Sequence, residues 1–217
     1  MRRPKHYRDD CDRIAFVYDP LVRFLSFFIG GARGLDVLWT SVIDEMSATS
    51  GKKVLDVCCG TGVMCARIAD AVGAGGVVVG VDLSEKMLKC AEKRKRRKDN
   101  MRFCLSNAEE IPYDDGYFDC ASITFGLHEM PYQVRTNVLC EMRRVIKPGG
   151  KIAVLDYSYP TNKLIQYLFT IWMFVEGKTA KDFIKRDLSS MIRDVGFNHI
   201  KKSVYSYSTV QIVSGVR

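Results

Sequence analysis

The sequence lacks the marks of several large protein classes. It has no apolar run of about 18 residues, the minimum for a membrane-spanning helix, so no such helix is predicted. Its eight cysteines form no CxxC pair, and none of its three histidines lies at ligand spacing from a cysteine. We therefore predict neither a disulfide framework nor a metal site. The N-terminus is charged and has no apolar signal segment, which together with the cysteine pattern indicates the cytoplasm.

The composition and the charge distribution indicate one globular domain with a basic segment. Apolar residues make up 47% of the 217 residues and charged residues 27%, which provides for a substantial core. The formal charge of +8 is concentrated in Lys86–Lys98, which holds eight Lys or Arg against one Glu. We interpret this run either as a solvated helix face or as a contact with an anionic membrane, with nucleic acid the disfavoured partner.

From Lys53 onward, short apolar runs alternate with helical stretches, which predicts a parallel sheet. The predicted strands are Lys53–Val57, Val77–Val81, Met101–Leu105, Cys120–Thr124, Lys151–Asp156, Ile200–Tyr205 and Thr209–Val213. The predicted helices include Ile14–Phe28 and Leu35–Met46, separated by Gly30, Gly31 and Gly34, and then Val63–Ala71, Glu85–Arg97 and Val134–Val145. The expected fold is α/β: a Rossmann-like, seven-stranded, mostly parallel sheet with helices on both faces and a C-terminal antiparallel strand.

The stretch VLDVCCGTG, Val54–Gly62, joins the first strand to a glycine turn. Ligands of parallel sheets bind at the carboxyl ends of strands, where Asp56 lies, and Gly60 and Gly62 allow the backbone to approach a ligand closely. A dinucleotide site requires GxGxxG, but the third position here is Cys65. An acid before the glycines suits an ammonium group better than a pyrophosphate. S-adenosylmethionine is therefore the predicted cofactor, and S-adenosylhomocysteine its product.

Matching residues follow the next strands. Asp82 ends the second strand, where a carboxylate accepts both hydroxyls of a ribose. Leu83 and Met87 are predicted to form an apolar wall against the adenine. The side-chain oxygen of Asn107 is predicted to accept a hydrogen bond from the adenine amino group. Phe125–Gly126, after the fourth strand, is predicted beside the methionine part and the reacting sulfur. The alternatives are that Asp56 only caps a helix and that Asn107 only forms a turn.

These motifs resemble those of class I S-adenosylmethionine-dependent methyltransferases, in particular the ubiquinone/menaquinone C-methyltransferases and the related phospholipid N-methyltransferases. The resemblance covers roughly residues 15–213 and rests on VLDVCCGTG, ITFGLHEM, RVIKPGGKIAVLDYSYP and SMIRDVGFNHIKKS. It implies that the pair Tyr18–Asp19 closes over the cofactor, and that Cys58 replaces a glycine present in many members. The residues predicted to contact the cofactor are Tyr18, Asp56, Val57, Cys58, Gly60, Thr61, Gly62, Asp82, Leu83, Met87, Asn107, Ala108, Glu109, Phe125 and Gly126.

Two segments bear on the methyl acceptor. His128 is the predicted catalytic residue, as a general base or a substrate ligand. The alternative is that it only lines the pocket and makes its hydrogen bonds within the protein. Quinone members usually carry Arg-Asn where this chain has His128–Glu129, and Glu129 is interpreted as a helix cap or as a contact of a cationic substrate. The helix Leu164–Val175 is apolar nearly all round and too short to span a bilayer. It is interpreted as a core helix, as a lipophilic pocket or membrane contact, or as a homodimer interface.

We predict a single methyltransferase domain over residues 1–217: an N-terminal helical lid (1–50), a cofactor-binding core (51–157), a substrate lid with the last helix (158–196) and closing strands (197–217). The predicted reaction moves a methyl group to a small or lipophilic acceptor, quinone-like or phospholipid-like, in the cytoplasm and in peripheral contact with the membrane. A nicotinamide dehydrogenase is disfavoured by the glycine spacing. A non-catalytic adaptor that binds S-adenosylmethionine stays an alternative.

Overall fold

The computed structural model describes residues 31–95 and 98–217. The predicted helix Ile14–Phe28 and the pair Tyr18–Asp19 lie outside the described residues. The helices are α1 Gly31–Glu45, α2 Val63–Val72, α3 Glu85–Lys95, α4 Tyr132–Val145, α5 Lys163–Glu176, α6 Lys178–Phe183 and α7 Leu188–Asp194. The strands are β1 Lys53–Val57, β2 Val77–Asp82, β3 Met101–Leu105, β4 Phe118–Thr124, β5 Ile146–Tyr157, β6 Asn198–Tyr205 and β7 Val210–Val216.

The strands form one seven-stranded sheet in the order β3-β2-β1-β4-β5-β7-β6. The strands β1 to β5 run parallel to one another. The strand β7 lies antiparallel to both β5 and β6. The strand order reverses between β1 and β4, which is the point where ligands of such sheets bind. The predicted fold class is therefore confirmed, including the antiparallel C-terminal strand.

Alternating side chains of the buried strands belong to two core layers, one on each face of the sheet. Leu55 and Val57 of β1 pack with α4, α6 and α7, whereas Val54 packs with α1 and α2. This follows from the two-residue period of a strand, which sends neighbouring side chains to opposite faces. Because both faces are covered, the central strands consist of continuous apolar runs, and this made them recognisable in the sequence.

One prediction about the first described helix is wrong. Gly30, Gly31 and Gly34 were expected to separate two helices, but α1 begins at Gly31 and Gly34 lies inside it. The helix persists because Leu38, Val42 and Met46 are almost wholly buried against α2 and the sheet. Packing of this kind outweighs the roughly 1 kcal/mol that a glycine costs inside a helix.

Candidate active site

The strands on either side of the order reversal end in strained backbone. Cys58, just after β1, has φ 53°, and Phe125, just after β4, has φ 51°. Such left-handed conformations cost a residue other than glycine on the order of 1–2 kcal/mol and concentrate at functional sites. Gly126 lies so close that a Cβ placed on it would be 3.0 Å from the Cβ of Cys58. The two loops therefore meet over the carboxyl edge of the sheet.

Asp82, at the end of β2, holds the glycine loop in place. Its Oδ2 accepts a hydrogen bond from the backbone N of Gly60 at 2.8 Å, and its Oδ1 accepts one from the backbone N of Ser84 at 2.8 Å. Gly60 has φ 53°, and a Cβ on it would meet no atom within 4 Å, so the loop presents open backbone next to a half-buried carboxylate. A carboxylate accepts about four hydrogen bonds, so one that anchors a loop can also bind vicinal hydroxyls. This arrangement fits the ribose of S-adenosylmethionine.

Asp56 lies beneath this loop and has no exposed surface. Its Oδ1 accepts a hydrogen bond from Ser122 Oγ at 2.8 Å and its Oδ2 one from Cys65 Sγ at 3.1 Å. Burial, reinforced by the nearby charge of Asp82, raises the pKa of Asp56 to about 6. Because Asp56 has no exposed surface, it acts on a ligand through its charge and through the loop above it. Direct contact with an ammonium group requires that loop to move aside.

The two buried cysteines near the loop are structural. Burial raises the pKa of Cys65 well above its usual value, and its thiol donates to Asp56. A hydrogen bond with Cys65 lowers the pKa of Cys59, but burial and the charge of Asp82 outweigh it and raise this pKa to about 11. Both thiols therefore stay protonated, which excludes a role as thiolate nucleophiles near neutral pH.

The other predicted cofactor residues divide by exposure. The side chains of Val57, Thr61 and Met87 are buried, so they can reach a ligand only through the main chain or as a packed wall. Asn107 Oδ1 accepts a hydrogen bond from the backbone N of Glu109 at 3.1 Å, the turn expected as its alternative role. The predicted residues that are partly exposed along this edge are Cys58, Leu83, Ala108, Glu109 and Phe125, whereas Gly126 is buried.

His128 lies in a short 3-10 turn directly after β4 and is 4% exposed. Its Nδ1 is 2.7 Å from Asp156 Oδ1, and its backbone N donates to Asp156 Oδ2 at 3.2 Å. Burial lowers the pKa of His128, but the carboxylates of Asp156 and Glu129 outweigh it and raise the pKa to about 10. The ring is therefore protonated near neutral pH. Of its two predicted roles, this favours binding an acceptor oxygen over removing a proton.

Three residues that the sequence analysis did not single out complete this side of the site. Asp156 and Tyr157 end β5, and Glu176 ends α5. Tyr157 packs its ring 4.6 Å from that of His128 and donates its hydroxyl to Glu176 Oε1 at 2.9 Å, while Trp172 Nε1 donates to the Tyr157 hydroxyl at 3.3 Å. The ring of Phe125 lies 5.6 Å from that of Tyr157. Asp156 was recognisable as the polar end of the predicted strand Lys151–Asp156, and Tyr157 follows it directly, but no sequence signal connected Glu176 to them.

A shallow depression at the opposite, amino edge of the sheet is lined by Glu45, Lys151, His199 and Lys201, among others. Glu45 pairs with Lys201 at 2.5 Å and accepts a hydrogen bond from Ser214. Its location at the amino edge, away from the reversal of strand order, and its internal ion pair argue against a catalytic role, although His199 in its lining also has a left-handed backbone with φ 50°. The carboxyl edge is therefore the candidate active site.

The fold is of the Rossmann-like class, and this edge is the candidate site for a nucleotide-type cofactor. The model of the ubiE/COQ5 methyltransferase family matches residues 7–183. A demethylmenaquinone methyltransferase of Geobacillus sp. (strain WCH70) is 37% identical over 192 residues, which cover 79% of this chain and 81% of the relative. The ubiquinone/menaquinone biosynthesis C-methyltransferase UbiE of Blochmanniella floridana is 29% identical over 212 residues, covering 87% and 80%.

Solved structures agree on the fold. A SAM-dependent methyltransferase from Aquifex aeolicus has a TM-score of 0.65 at 20% identity, covering 82% of this chain and 88% of that one. A phosphoethanolamine N-methyltransferase 2 of Haemonchus contortus has a TM-score of 0.73 at 16% identity, covering 97% and 59%. The chain belongs to the ubiE/COQ5 methyltransferase family. It is accordingly an S-adenosylmethionine-dependent methyltransferase.

Proposed function

We propose that this enzyme methylates a ring carbon of a lipophilic, quinone-like acceptor in its reduced, hydroquinone form. The observation that carries the proposal is the aromatic wall of Phe125, Tyr157 and Phe169 beside the cofactor edge, whose successive ring centroids lie 5.6 and 5.9 Å apart. A planar acceptor ring packs well against such a wall. The relatives named as demethylmenaquinone methyltransferases support the same class of acceptor.

The donor half of the site lies at the ends of β1 and β2. We assign the ribose hydroxyls to Asp82, the amino-acid part to the backbone of the loop that contains Gly60, and the adenine to the wall of Leu83 and Met87. When bound, S-adenosylmethionine supplies an electrophilic methyl group on a sulfonium. The loops after β1 and β4 hold this group in line with the acceptor and exclude water, and such positioning provides much of the acceleration.

The acceptor half lies at the ends of β4, β5 and α5. The acceptor hydroxyl loses its proton to water, and the protonated ring of His128 donates from Nε2 to the resulting phenolate oxygen and stabilises it, which makes the neighbouring ring carbon nucleophilic. That carbon forms the new bond to the methyl group as the bond between the methyl group and sulfur breaks, which leaves S-adenosylhomocysteine, and the ring then loses a proton to regain aromaticity. We assign this proton to Glu129, whose side chain is 35% exposed and can pass it to water.

The test is tritium transfer from methyl-labelled S-adenosylmethionine to a short-chain demethylated naphthoquinol. Label should enter the organic extract with the reduced acceptor and not with the oxidised one, because the quinone ring is not nucleophilic. His128→Gln should lower kcat by about 10²-fold or more while the KM for S-adenosylmethionine stays the same. Transfer at the same rate by His128→Gln would contradict its assignment.

The same assay tests the non-catalytic adaptor. Intact cofactor binding with no label in quinol, phospholipid, protein or RNA would favour the adaptor over the enzyme. Label in a phospholipid headgroup instead of the quinol would show that the acceptor is a phospholipid. The assignment of the donor site would then stay as it is. A cytoplasmic location and a single domain over residues 1–217 belong to this proposal as well.

We also propose that α5 brings the enzyme to an anionic membrane surface, where such an acceptor resides. Large apolar side chains follow one another along its exposed face, with more than half of each accessible surface exposed: Leu164, Tyr167, Leu168, Ile171 and Phe174. Exposed lysines lie at both ends of the helix, Lys163 and Lys178. An apolar face flanked by cations is typical of helices that lie in the membrane interface. No helix among the described residues is long and apolar enough to cross a bilayer.

The basic run Lys86–Lys98, on α3 and just after it, contributes less to membrane binding than its charge suggests. Several of its cations are paired within the chain: Lys89 with Glu85 at 2.9 Å, Lys95 with Glu92 at 3.7 Å, and Lys98 with Asp70. Those pairs offset part of the positive charge on the solvated face of α3. We therefore assign the primary lipid contact to α5.

Phe174→Glu should abolish cosedimentation with vesicles that contain phosphatidylglycerol, with Val204→Glu, another apolar site more than half exposed and located on β6, as the control. Binding that survives Phe174→Glu would contradict the membrane assignment. A sedimentation-velocity dimer that Phe174→Glu dissociates would show instead that a second copy covers this face.

A further inference from the structure

We propose that His128, Glu129 and Glu176 form a binding site for one divalent cation on the acceptor side of the active site. The three residues come from the turn after β4 and from the end of α5. One ligand atom from each lies within 4.8 Å of the other two. Glu176 is far from the other two residues in sequence. The spacing of possible metal ligands along the chain therefore did not indicate this group.

The orientation of His128 is that of a metal-binding histidine. Its Nδ1 faces the buried Asp156 carboxylate at 2.7 Å, and since a carboxylate only accepts, Nδ1 carries the proton of this bond. Histidines that bind metals almost always donate their second ring nitrogen to such an acceptor, which fixes the ring and increases the basicity of the free nitrogen. Here Nε2 is the nitrogen left to point into the site.

The distances from Nε2 fit shared ligands better than hydrogen bonds. Nε2 lies 3.5 Å from Glu129 Oε1 and 3.7 Å from Glu176 Oε2. Both exceed the usual N–H···O length of about 2.7–3.2 Å. Two ligands bound at about 2.1 Å to one cation lie on the order of 3–3.5 Å apart. Small rotations of the two glutamates therefore bring all three atoms to a common centre.

Among the described side chains, carboxylates outnumber cations at this site. Three carboxylates, those of Glu129, Asp156 and Glu176, surround one imidazole, and the imidazole side chain is 6% exposed. The buried cation behind the turn, Arg135, directs its donors to Asp182 and to the carbonyls of Leu127 and Thr179, outside this cluster. The partly exposed side chain of Glu129 provides the path by which an ion enters.

One imidazole nitrogen and two carboxylates are borderline-to-hard ligands, which suit Mn²⁺, Fe²⁺ or Zn²⁺. The cation takes the place of the proton on Nε2, which leaves to solvent. Three protein ligands leave positions open for an acceptor oxygen, and the cation stabilises that oxygen as an anion. In the cation-bound enzyme the ion therefore replaces the Nε2 proton at the acceptor oxygen, and the ring proton passes to water because Glu129 is bound to the cation. This role rests on the proposed function, whereas cation binding itself does not.

The test is a titration of the chelator-treated full chain with Mn²⁺, followed by the loss of the free-ion EPR signal, with no acceptor present. We expect one saturable site per chain below about 1 mM. Glu176→Gln and His128→Gln should each weaken binding at least about tenfold, and Asp156→Asn about 10- to 100-fold. Asp194→Asn, an exposed acid at the end of α7, is the matched control and should bind Mn²⁺ as the wild type does.

The absence of saturable binding in the wild type would overturn the proposal. Equal affinities of the wild type and of both Glu176→Gln and His128→Gln would overturn it as well, because the ion would then bind elsewhere. Circular dichroism and calorimetry with S-adenosylmethionine confirm that each variant is folded. A quinol that is not methylated leaves the Mn²⁺ titration unchanged, so failure of the proposed acceptor and failure of the metal site give different results.

Discussion

Asp56→Asn should stabilise the protein at neutral pH, and the gain should depend on pH. Burial and the charge of Asp82 raise the pKa of Asp56 from its usual 3.8 to about 6. That shift corresponds to about 3 kcal/mol of native-state destabilisation once the group is ionised. Because the folded state holds the proton more tightly than the unfolded state, the favourable contribution is complete below about pH 4 and is lost as the pH rises through 6. Asparagine has nearly the same shape as aspartate and never ionises. The variant therefore does not lose this stability as the pH rises.

The assay is urea unfolding of the wild type and of Asp56→Asn between about pH 4.5 and pH 8. The stability difference in favour of the variant should grow by about 2 kcal/mol over this range. A fixed offset from imperfect hydrogen bonding of the amide to Ser122 and Cys65 does not change with pH, so the slope is the diagnostic quantity. Asp44→Asn, at an exposed site on α1, is the matched control and should give a flat difference.

A stability difference that does not vary with pH would refute the reasoning, because it would mean that Asp56 titrates alike in the folded and unfolded states. The expected cost of the stabilising change is functional. Calorimetry should find weaker binding of S-adenosylmethionine by Asp56→Asn, since the negative charge beneath the loop is lost.

Three further outcomes follow from the contacts. Asp82→Ala should weaken binding of S-adenosylmethionine at least about tenfold by calorimetry while the fold persists, because it removes the carboxylate that anchors Gly60; wild-type affinity would contradict the ribose assignment. Gly80→Ala should destabilise the protein by about 1–3 kcal/mol in urea unfolding, since its Cβ would lie 2.8 Å from both Cys59 Sγ and Cys65 Sγ; an unchanged midpoint would show that the thiols can move aside. Met173→Ala should loosen α5 and raise the KM for the acceptor without changing cofactor affinity, since Met173 is 1% exposed beneath that helix; equal changes in both constants would contradict this separation.

The strands and the cofactor loop were predictable from the sequence for a physical reason. Central parallel strands are buried on both faces, so they form continuous apolar runs, and β1 and β3 begin and end where the pattern placed them. The residues of the loop after β1 are local in sequence. Their chemistry could therefore be interpreted from VLDVCCGTG and from Asp82 alone.

The partners of these residues were not predictable, because strand order brings distant segments together. Asp56 bonds Ser122, 66 positions away, since β1 pairs with β4 in the sheet. The sequence analysis assigned Asp56 an ammonium group to bind and did not foresee that Ser122 and Cys65 would take both of its oxygens. The cysteine pair likewise acquired a meaning only in the structure. Cys58 adopts a left-handed backbone of the kind that glycine adopts most readily, and Cys59 packs under the loop.

The two halves of the active site differ in how they are built, and this explains which half the sequence revealed. The donor half is formed by consecutive turns after β1 and β2, so its residues keep a fixed spacing along the chain. The acceptor half needs His128 from one strand end, Asp156 from another and Glu176 from the last residue of α5. Because Glu176 reaches Tyr157 only when α5 is packed on the sheet, the same helix that exposes an apolar face to the surroundings also completes the polar cluster at the acceptor. In the proposed mechanism, docking of α5 therefore links access of a lipophilic acceptor to the chemistry at His128.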